Sequence, residues 1–199
     1  ININKRRYKV PLNPIVVICI DGCDPEYLDI ALQKNCIPTI ENFMEIGSYN
    51  IADSVIPSFT NPNNMSIVTG CPPAVHGICG NYLLDPDSGQ EVMMNDVKFL
   101  RAPTIFKSFQ EINKKIGIIT AKDKLRALLG AGLTINGLNT KCFSSEKANS
   151  ATLDTNGIDN VERWLNMSIP DVYSSELSEF VFASGLKLLE EWFPDVMYL

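Results

Sequence analysis

The sequence predicts an α/β fold in which helices cover both faces of a mostly parallel sheet. Short apolar segments rich in β-branched residues alternate with helical segments along the 199 residues, an order typical of parallel βαβ units. Segment 15–20 (IVVICI) is a continuous apolar run, which is typical of a central strand buried on both faces. The composition, 45% hydrophobic and 20% charged, is that of a folded domain and excludes a disordered chain.

The first elements are predicted in order as a strand over 15–20, helices over 25–34 and 38–46, and a strand over 49–56. Each of the two helices begins at a proline, which suits the first helical turn, and spaces its apolar residues three or four apart. The second strand is predicted from its strand-like composition, and Pro57 ends it. A short helix follows, with Pro62 near its start and Gly70 after its end.

The remaining elements follow from the same signals. The turn sequence DPDSG lies inside an alternating segment and predicts a hairpin over 81–94. Strands are predicted over 115–120, 139–144 and 195–199, and helices over 103–113, 122–130, 157–167 and 174–193. The last helix is the clearest, because an apolar stripe lines one side of it and Pro194 stops it.

Composition limits the function and the compartment. The formal net charge of −6 argues against a general nucleic-acid binder, and no apolar run approaches the roughly 18 residues of a membrane span. No signal peptide is evident, and none of the six cysteines forms a C-x-x-C pair, so we expect reduced thiols and a cytoplasmic protein. Cys19, inside the first apolar run, is expected to be a buried thiol. The chain lacks an initiator Met and stops inside an apolar run at Leu199, so we expect a fragment of one domain spanning 1–199.

Two residues near predicted strand and helix ends could carry chemistry. Asp21 follows the first strand directly, where a carboxylate suits a divalent cation, and a turn or cap with Gly22 is an equally good interpretation. Thr60 falls at or just before a helix N-cap, where an ordinary capping threonine is the more common role. The same position presents free N–H groups to a phosphate or phosphonate oxygen, and a metal could turn the hydroxyl into a nucleophile.

Two further segments carry polar side chains at turns. In H-G-I-C-G-N, the sole histidine, His76, is expected to be structural, and Asn81 could aim its amide N–H₂ at an anionic oxygen. In A-K-D-K, Lys122 and Lys124 follow a predicted strand, and a solvated helix start is the ordinary interpretation. Lysine early in a helix is unfavourable to the helix dipole, which hints at a doubly anionic, carboxylate-bearing substrate.

Four segments in this order resemble the alkaline phosphatase superfamily, and within it the phosphonoacetate hydrolases. They are 18–25 (ICIDGCDP), 57–70 (PSFTNPNNMSIVTG), 75–81 (VHGICGN) and 120–126 (TAKDKLR), and the resemblance covers about 14–199. The Asp-Gly strand end, the threonine before a short helix and H-G-I-x-x-N mark the wider phosphodiesterase-like group. The stretches FTNPNN and AKDK are specific to the phosphonoacetate hydrolases.

The resemblance implies hydrolysis of the carbon–phosphorus bond of phosphonoacetate, a small anionic phosphonate, with two zinc ions. By position, Asp21 would be a zinc ligand and Thr60 the zinc-bound nucleophile, while Asn81 would hold a phosphonate oxygen. Lys122 and Lys124 would face the substrate carboxylate and the charge on the leaving group. The resemblance also suggests a cap, of which about 142–171 is a candidate part, and leaves a homodimer open.

The sequence departs from the family in one large respect. The remaining zinc ligands of the family, a strand-end Asp followed by a His, an Asp-His pair and a distant His, are absent, and the chain ends in what resembles the strand before the first of them. We therefore expect the 199 residues alone to be inactive. A phosphodiesterase or nucleotide pyrophosphatase on the same scaffold, and a metal-free pseudoenzyme, are the alternatives.

Overall fold

The computed structural model describes residues 1–199, which form two compact units, Cys19–Ser54 and the rest of the chain. The strands of the larger unit are β1 (Asn2–Ile3), β2 (Arg6–Arg7), β3 (Ile15–Val17), β4 (Tyr82–Leu84), β5 (Glu91–Met93), β6 (Ile116–Thr120), β7 (Thr140–Ser144) and β8 (Val196–Tyr198). The helices of the chain are α1 (Pro25–Gln33), α2 (Pro38–Ile46), α3 (Thr60–Thr69), α4 (Pro73–His76), α5 (Ile105–Glu111), α6 (Asp123–Leu129), α7 (Leu153–Asn156), α8 (Val161–Leu165) and α9 (Glu176–Glu191), of which α1 and α2 lie in the smaller unit.

The core of the larger unit is a parallel four-stranded sheet in the order β3–β8–β6–β7. The two central strands are apolar, and every residue of β6 and β8 is buried. Two antiparallel ribbons, β1–β2 and the hairpin β4–β5, lie outside this sheet. The hairpin turns at DPDSG, as predicted.

Helices cover both faces of the sheet. Successive side chains of a strand point to opposite faces, and in β8 each of two neighbouring residues contacts a different helix. Met197 packs in one apolar cluster with Phe180 and Leu188 of α9. The next residue, Tyr198, meets Phe106 of α5 edge to face, with ring centroids 5.8 Å apart. The predicted α/β class, with a parallel sheet between helices, is confirmed.

The first strand corrects the prediction for 15–20. It spans only Ile15–Val17 and lies at the edge of the sheet, paired with β8 alone. Ile15 is 46% exposed, so the strand is not buried on both faces, and Cys19 beyond it is partly exposed rather than buried. A run of β-branched residues supplies strand propensity, but burial depends on having neighbours on both sides.

Two further predictions are wrong. Residues 49–56 form no strand: no other strand pairs with them, and Ile51 and Ile56 are largely exposed. Residues 157–167 do not form one helix. Gly157 instead ends α7 with φ of 72°, and α8 begins after Asn160, which also has a positive φ.

The other predicted elements are present within a few residues of their expected ends, and α4 is an additional one-turn helix. All six cysteines are free thiols, and burial raises the pKa of the Cys142 thiol to about 12. None of the helices combines the length and the apolar composition needed to cross a bilayer.

Candidate functional site

Thr60 is the first residue of α3, one position later than an N-cap, and Phe59 occupies the cap with φ −87° and ψ 155°. The side chain of Thr60 is half-buried. Its position in the first turn of a ten-residue helix places it at the positive end of the helix dipole.

Two buried side chains tie this first turn to the centre of the sheet. The Asn64 amide nitrogen Nδ2 donates to the Thr60 carbonyl at 2.9 Å, and the Tyr198 hydroxyl donates to Asn64 Oδ1 at 2.5 Å. Asn64 and Tyr198 are each only 2% exposed. Sequence reasoning missed both residues, although an Asn-Asn pair inside a short helix was a usable signal, since asparagine is a poor helix former.

The other asparagine of the pair holds the segment that leads into the helix. Asn63 Nδ2 donates to the Phe59 carbonyl at 3.1 Å, and Asn63 Oδ1 accepts from the Val55 N–H at 3.1 Å. The backbone on both sides of Thr60 is therefore fixed by side chains one turn further along α3.

His76 is fully buried, and both ring nitrogens have partners within the chain. Nδ1 accepts from the Ile78 N–H at 3.2 Å, and Nε2 lies 2.9 Å from Ser66 Oγ. Burial, with a smaller contribution from the charge of Arg101, holds the pKa of His76 below its usual value. A neutral ring carrying its proton on Nε2 satisfies both contacts, which supports the expected structural role.

Asn81 and Lys124 are brought to the same hairpin. Asn81 precedes β4, its side chain is exposed, and its carbonyl accepts from the Met94 N–H at 2.8 Å. Lys124, at the second position of α6, places Nζ 3.1 Å from Met93 Sδ on β5. The exposed amide and the exposed ammonium thus border one ribbon.

Lys122 is the N-cap of α6 and follows β6, as predicted. Its Nζ donates to the Val172 carbonyl at 3.0 Å and lies 4.3 Å from the centroid of the Tyr173 ring. Helix α6, which begins directly after Lys122 and includes Lys124, packs against α3, which begins at Thr60. None of the ion pairs in the structure involves Lys122 or Lys124.

Asp123, the acid between the two lysines, forms its hydrogen bonds and its ion pair with other residues. Asp123 accepts from Arg126 Nε at 2.6 Å and from Ser144 Oγ at 2.9 Å, and its N–H donates to Glu146 at 2.8 Å. Burial raises the pKa of Asp123, but the hydrogen bonds from Arg126 and Ser144 outweigh it, so the pKa lies below its usual value. Asp123 therefore stays ionised and fastens the start of α6 to the end of β7.

Asp21 belongs to the smaller unit and is exposed. It lies in a turn closed by the Cys23 N–H, which donates to the Ile20 carbonyl at 3.2 Å, and Gly22 in that turn has a φ of 74°. The neighbouring Asp24, not Asp21, caps α1 by accepting from the Glu26 N–H. Within the larger unit, α3, which begins at Thr60, contacts α6, which begins after Lys122. The position of Asp21 is described only within the smaller unit.

The residues of this chain do not make a complete metal site. No group of three or more His, Cys, Asp or Glu side chains in residues 1–199 is placed to hold an ion. A two-zinc centre needs more nitrogen and oxygen ligands than Asp21 and Thr60 supply.

The chain is similar to two solved structures of one enzyme. Crystal structures of phosphonoacetate hydrolase from Sinorhizobium meliloti 1021, in complex with phosphonoformate and with phosphonoacetate, are each 56% identical with a TM-score of 0.96. The match covers 100% of this chain and 48% of that enzyme's chain, so these residues span about half of its length. The predicted resemblance to phosphonoacetate hydrolases is confirmed.

Two further comparisons lead to the wider family. An ectonucleotide pyrophosphatase/phosphodiesterase of Caenorhabditis elegans is 27% identical over 164 residues, which are 79% of this chain and 18% of that protein. The type I phosphodiesterase / nucleotide pyrophosphatase pattern matches residues 15–183. With most of its length matched, the chain belongs to the type I phosphodiesterase / nucleotide pyrophosphatase family of the alkaline phosphatase superfamily.

Proposed function

We propose that the protein hydrolyses the carbon–phosphorus bond of phosphonoacetate to acetate and phosphate. The observation that carries this proposal is the 56% identity, over all of this chain, with phosphonoacetate hydrolase. The contact between α3 and α6, which begin at Thr60 and after Lys122, supports it.

Thr60 is the proposed nucleophile, and Asn81 the proposed donor to a phosphonate oxygen. The Thr60 hydroxyl releases its proton to solvent as its oxygen forms a bond to phosphorus and the carbon–phosphorus bond breaks, and the bonding electron pair passes to the departing carbon. The carbon then takes a proton from solvent to become acetate, and water releases phosphate from the threonine.

Lys122 and Lys124 are the proposed stabilisers of the leaving group. The departing carbon is a poor leaving group unless its charge spreads into the adjacent carboxylate as an enolate. Ammonium groups at that carboxylate stabilise the enolate more than the ground state, which is the condition for lowering the barrier. Neither lysine is paired with an acid of the chain, so both cations are available for this.

Zinc is part of the proposal for the whole protein, with Asp21 and Thr60 as two of its ligands. A bound zinc ion would lower the pKa of the threonine hydroxyl. These residues alone do not fit a complete zinc centre, so the remaining ligands would have to come from outside residues 1–199. A single catalytic domain over 1–199 with cap residues in 142–171, a cytoplasmic location and a homodimer stay predictions.

The test is phosphate release from phosphonoacetate by the protein expressed from its whole coding sequence, with zinc supplied. Lys122→Ala and Lys124→Ala are expected to lower kcat by about 10²–10³-fold, a typical effect of removing one preorganised group that stabilises transition-state charge. Lys98→Ala, which removes an exposed lysine elsewhere, is the matched control. Thr60→Ala is expected to abolish turnover, whereas parental phosphate release by that variant would end the proposal.

The family match favours one second candidate, a phosphodiesterase or nucleotide pyrophosphatase. The leaving group of a phosphate diester has no carboxylate that lysines must stabilise. Activity toward an activated phosphate diester therefore distinguishes the two candidate functions. Equal losses on phosphonoacetate and on the diester after Lys122→Ala would favour the second candidate. The 199-residue chain assayed alone with zinc is expected to show no turnover.

A further inference from the structure

One tight turn contacts the proposed carboxylate-binding lysine from outside its own helix. Residues 171–174, here called the 171–174 turn, are closed by the Ser174 N–H and Ser174 Oγ, which both donate to the Asp171 carbonyl at 3.0 and 2.8 Å. The Ser174 carbonyl in turn accepts from the Leu177 N–H, which joins the turn to α9. The turn is therefore a defined structure attached to a helix that packs on β6.

Two independent contacts hold the Lys122 ammonium against this turn. The Val172 carbonyl accepts from Nζ at 3.0 Å, and the Tyr173 ring centroid lies 4.3 Å from the same atom. The negative face of an aromatic ring attracts a cation at this distance. Nζ has three N–H donors, so the carbonyl uses one and two are left for a ligand.

Tyr173 is unusual for a large aromatic side chain, because it is 96% exposed and nonetheless lies against a cation. Core packing therefore does not explain its place. Lys124, two residues further along, makes none of the cation–π contacts, and its ammonium lies 3.1 Å from the Met93 sulfur, a weak acceptor. The two lysines therefore differ: the Lys122 ammonium contacts both a carbonyl and an aromatic ring, whereas Lys124 is exposed and contacts only a sulfur among the polar acceptors.

We infer that the 171–174 turn, through the Val172 carbonyl and the Tyr173 ring, positions the Lys122 ammonium and so sets the preference for phosphonates that carry a carboxylate. Tyr173 is a positioning residue, since it acts through Lys122. Holding the long lysine side chain in advance removes part of the entropy cost of ordering it when substrate binds. The substrate half of this inference rests on the proposed function.

The first test needs no activity. Amine-selective reductive methylation, followed by mass spectrometry, reports how readily each lysine Nζ reacts. Tyr173→Leu is expected to raise the labelling rate at Lys122 about two- to fivefold, the size of an exposed cation–π contact, and to leave Lys124 unchanged. Tyr173→Phe, which keeps the ring, is expected to label like the parent, and Tyr27→Leu, at another exposed tyrosine, is the control. An unchanged Lys122 rate in Tyr173→Leu would overturn the positioning role.

The second test uses the whole protein and compares phosphonoacetate with an activated phosphate diester that lacks a carboxylate. Tyr173→Leu is expected to raise KM for phosphonoacetate about two- to fivefold, and Tyr173→Phe to restore it. KM for the diester is expected to stay at the parental value. An active parent with an unchanged phosphonoacetate KM in Tyr173→Leu contradicts this inference alone. A parent that does not cleave phosphonoacetate contradicts the proposed function and the substrate half of this inference, and the labelling result then reports on the positioning alone.

Discussion

At the scale of single residues, the first turn of α3 is held by side chains that are themselves buried. Asn64 is a buried polar group with both ends of its amide bonded, to Tyr198 on one side and to the Thr60 carbonyl on the other. A buried polar group of this kind is stable only while its partners remain. The position of the proposed nucleophile is therefore linked to a strand at the centre of the sheet.

Tyr198→Phe removes the hydroxyl and leaves Asn64 Oδ1 buried without that donor. The expected cost is about 1–3 kcal/mol in the free energy of unfolding, the penalty for an unsatisfied buried acceptor. Urea unfolding of the chain measures it. Tyr173→Phe, the same change at an exposed ring, serves as the control and should cost close to nothing. Equal stability of Tyr198→Phe and the parent would show that the hydrogen bond contributes nothing.

Asp123 makes stability depend on acid in a defined direction. Its pKa lies below its ordinary value of 3.8 in the folded chain, so the unfolded state binds a proton first as the pH falls. The stabilisation is fully present above that ordinary value and is lost as the pH drops through the lower, folded pKa.

Asp123→Asn should therefore lose stability near neutral pH and show a smaller further loss than the parent on acidification. Unfolding by urea at several values between about pH 3 and 6 measures the slope. Asp87→Asn, the same change in the exposed hairpin turn, is the matched control. If Asp123→Asn and the parent lose stability in parallel, the Asp123 contacts do not carry this dependence.

At the scale of elements, the ends of helices and strands decide where the functional side chains lie. α4 ends at Gly77, whose φ is 92°, and the chain then runs to Asn81. A Cβ at Gly77 would lie 2.3 Å from the Phe99 carbonyl oxygen, which is part of the backbone and cannot move aside easily. The direction of the segment leading to Asn81 thus requires glycine.

Gly77→Ala and Gly89→Ala form a matched pair. Both glycines have positive φ, but a Cβ at Gly89 meets nothing within 4 Å. Gly89→Ala is expected to cost about 1–2 kcal/mol, from backbone strain alone, and Gly77→Ala distinctly more because a steric clash is added. Thermal or urea unfolding compares the two. A smaller loss at Gly77 than at Gly89 would contradict the proposed clash.

Strand pairing shows the limit of local patterns at this scale. The segments over 15–20 and 49–56 both have strand-like composition, yet the first is a three-residue edge strand and the second is no strand. By contrast, β6 was predicted within one residue, and it is flanked by strands on both sides. A strand is completed by its neighbours, which a local window of sequence does not contain.

At the scale of the whole molecule, the two units differ in how much they bury. None of the side chains of Cys19–Ser54 is buried, including those of α1 and α2. The larger unit has a continuous apolar core in which Phe143, Phe180 and Met197 are fully buried. Local stability follows the apolar contacts that opening would break.

Amide hydrogen exchange should therefore be fast in 25–46 and slow in 116–120 and 176–191. The expected reason is that opening the smaller unit exposes little additional apolar surface, so the free energy of opening is low. Exchange followed by mass spectrometry of the corresponding peptides measures the difference. Protection of α1 and α2 equal to that of α9 would refute it.

Local sequence patterns predicted the α/β class, most of the helices, strands β6 and β8, and the positions of Asn81, Lys122 and Lys124 relative to element ends, and they placed Thr60 within one or two residues of its position. Those features follow from periodicity, caps and turn residues, which are local, and from motifs resembling a known family. Packing between distant parts of the chain places β3 at an edge, brings Asn64 and Tyr198 to the first turn of α3, and brings the 171–174 turn to Lys122. The Lys122–Val172 and Tyr198–Asn64 contacts join residues 50 and 134 positions apart, and no local pattern encodes which distant side chains will meet.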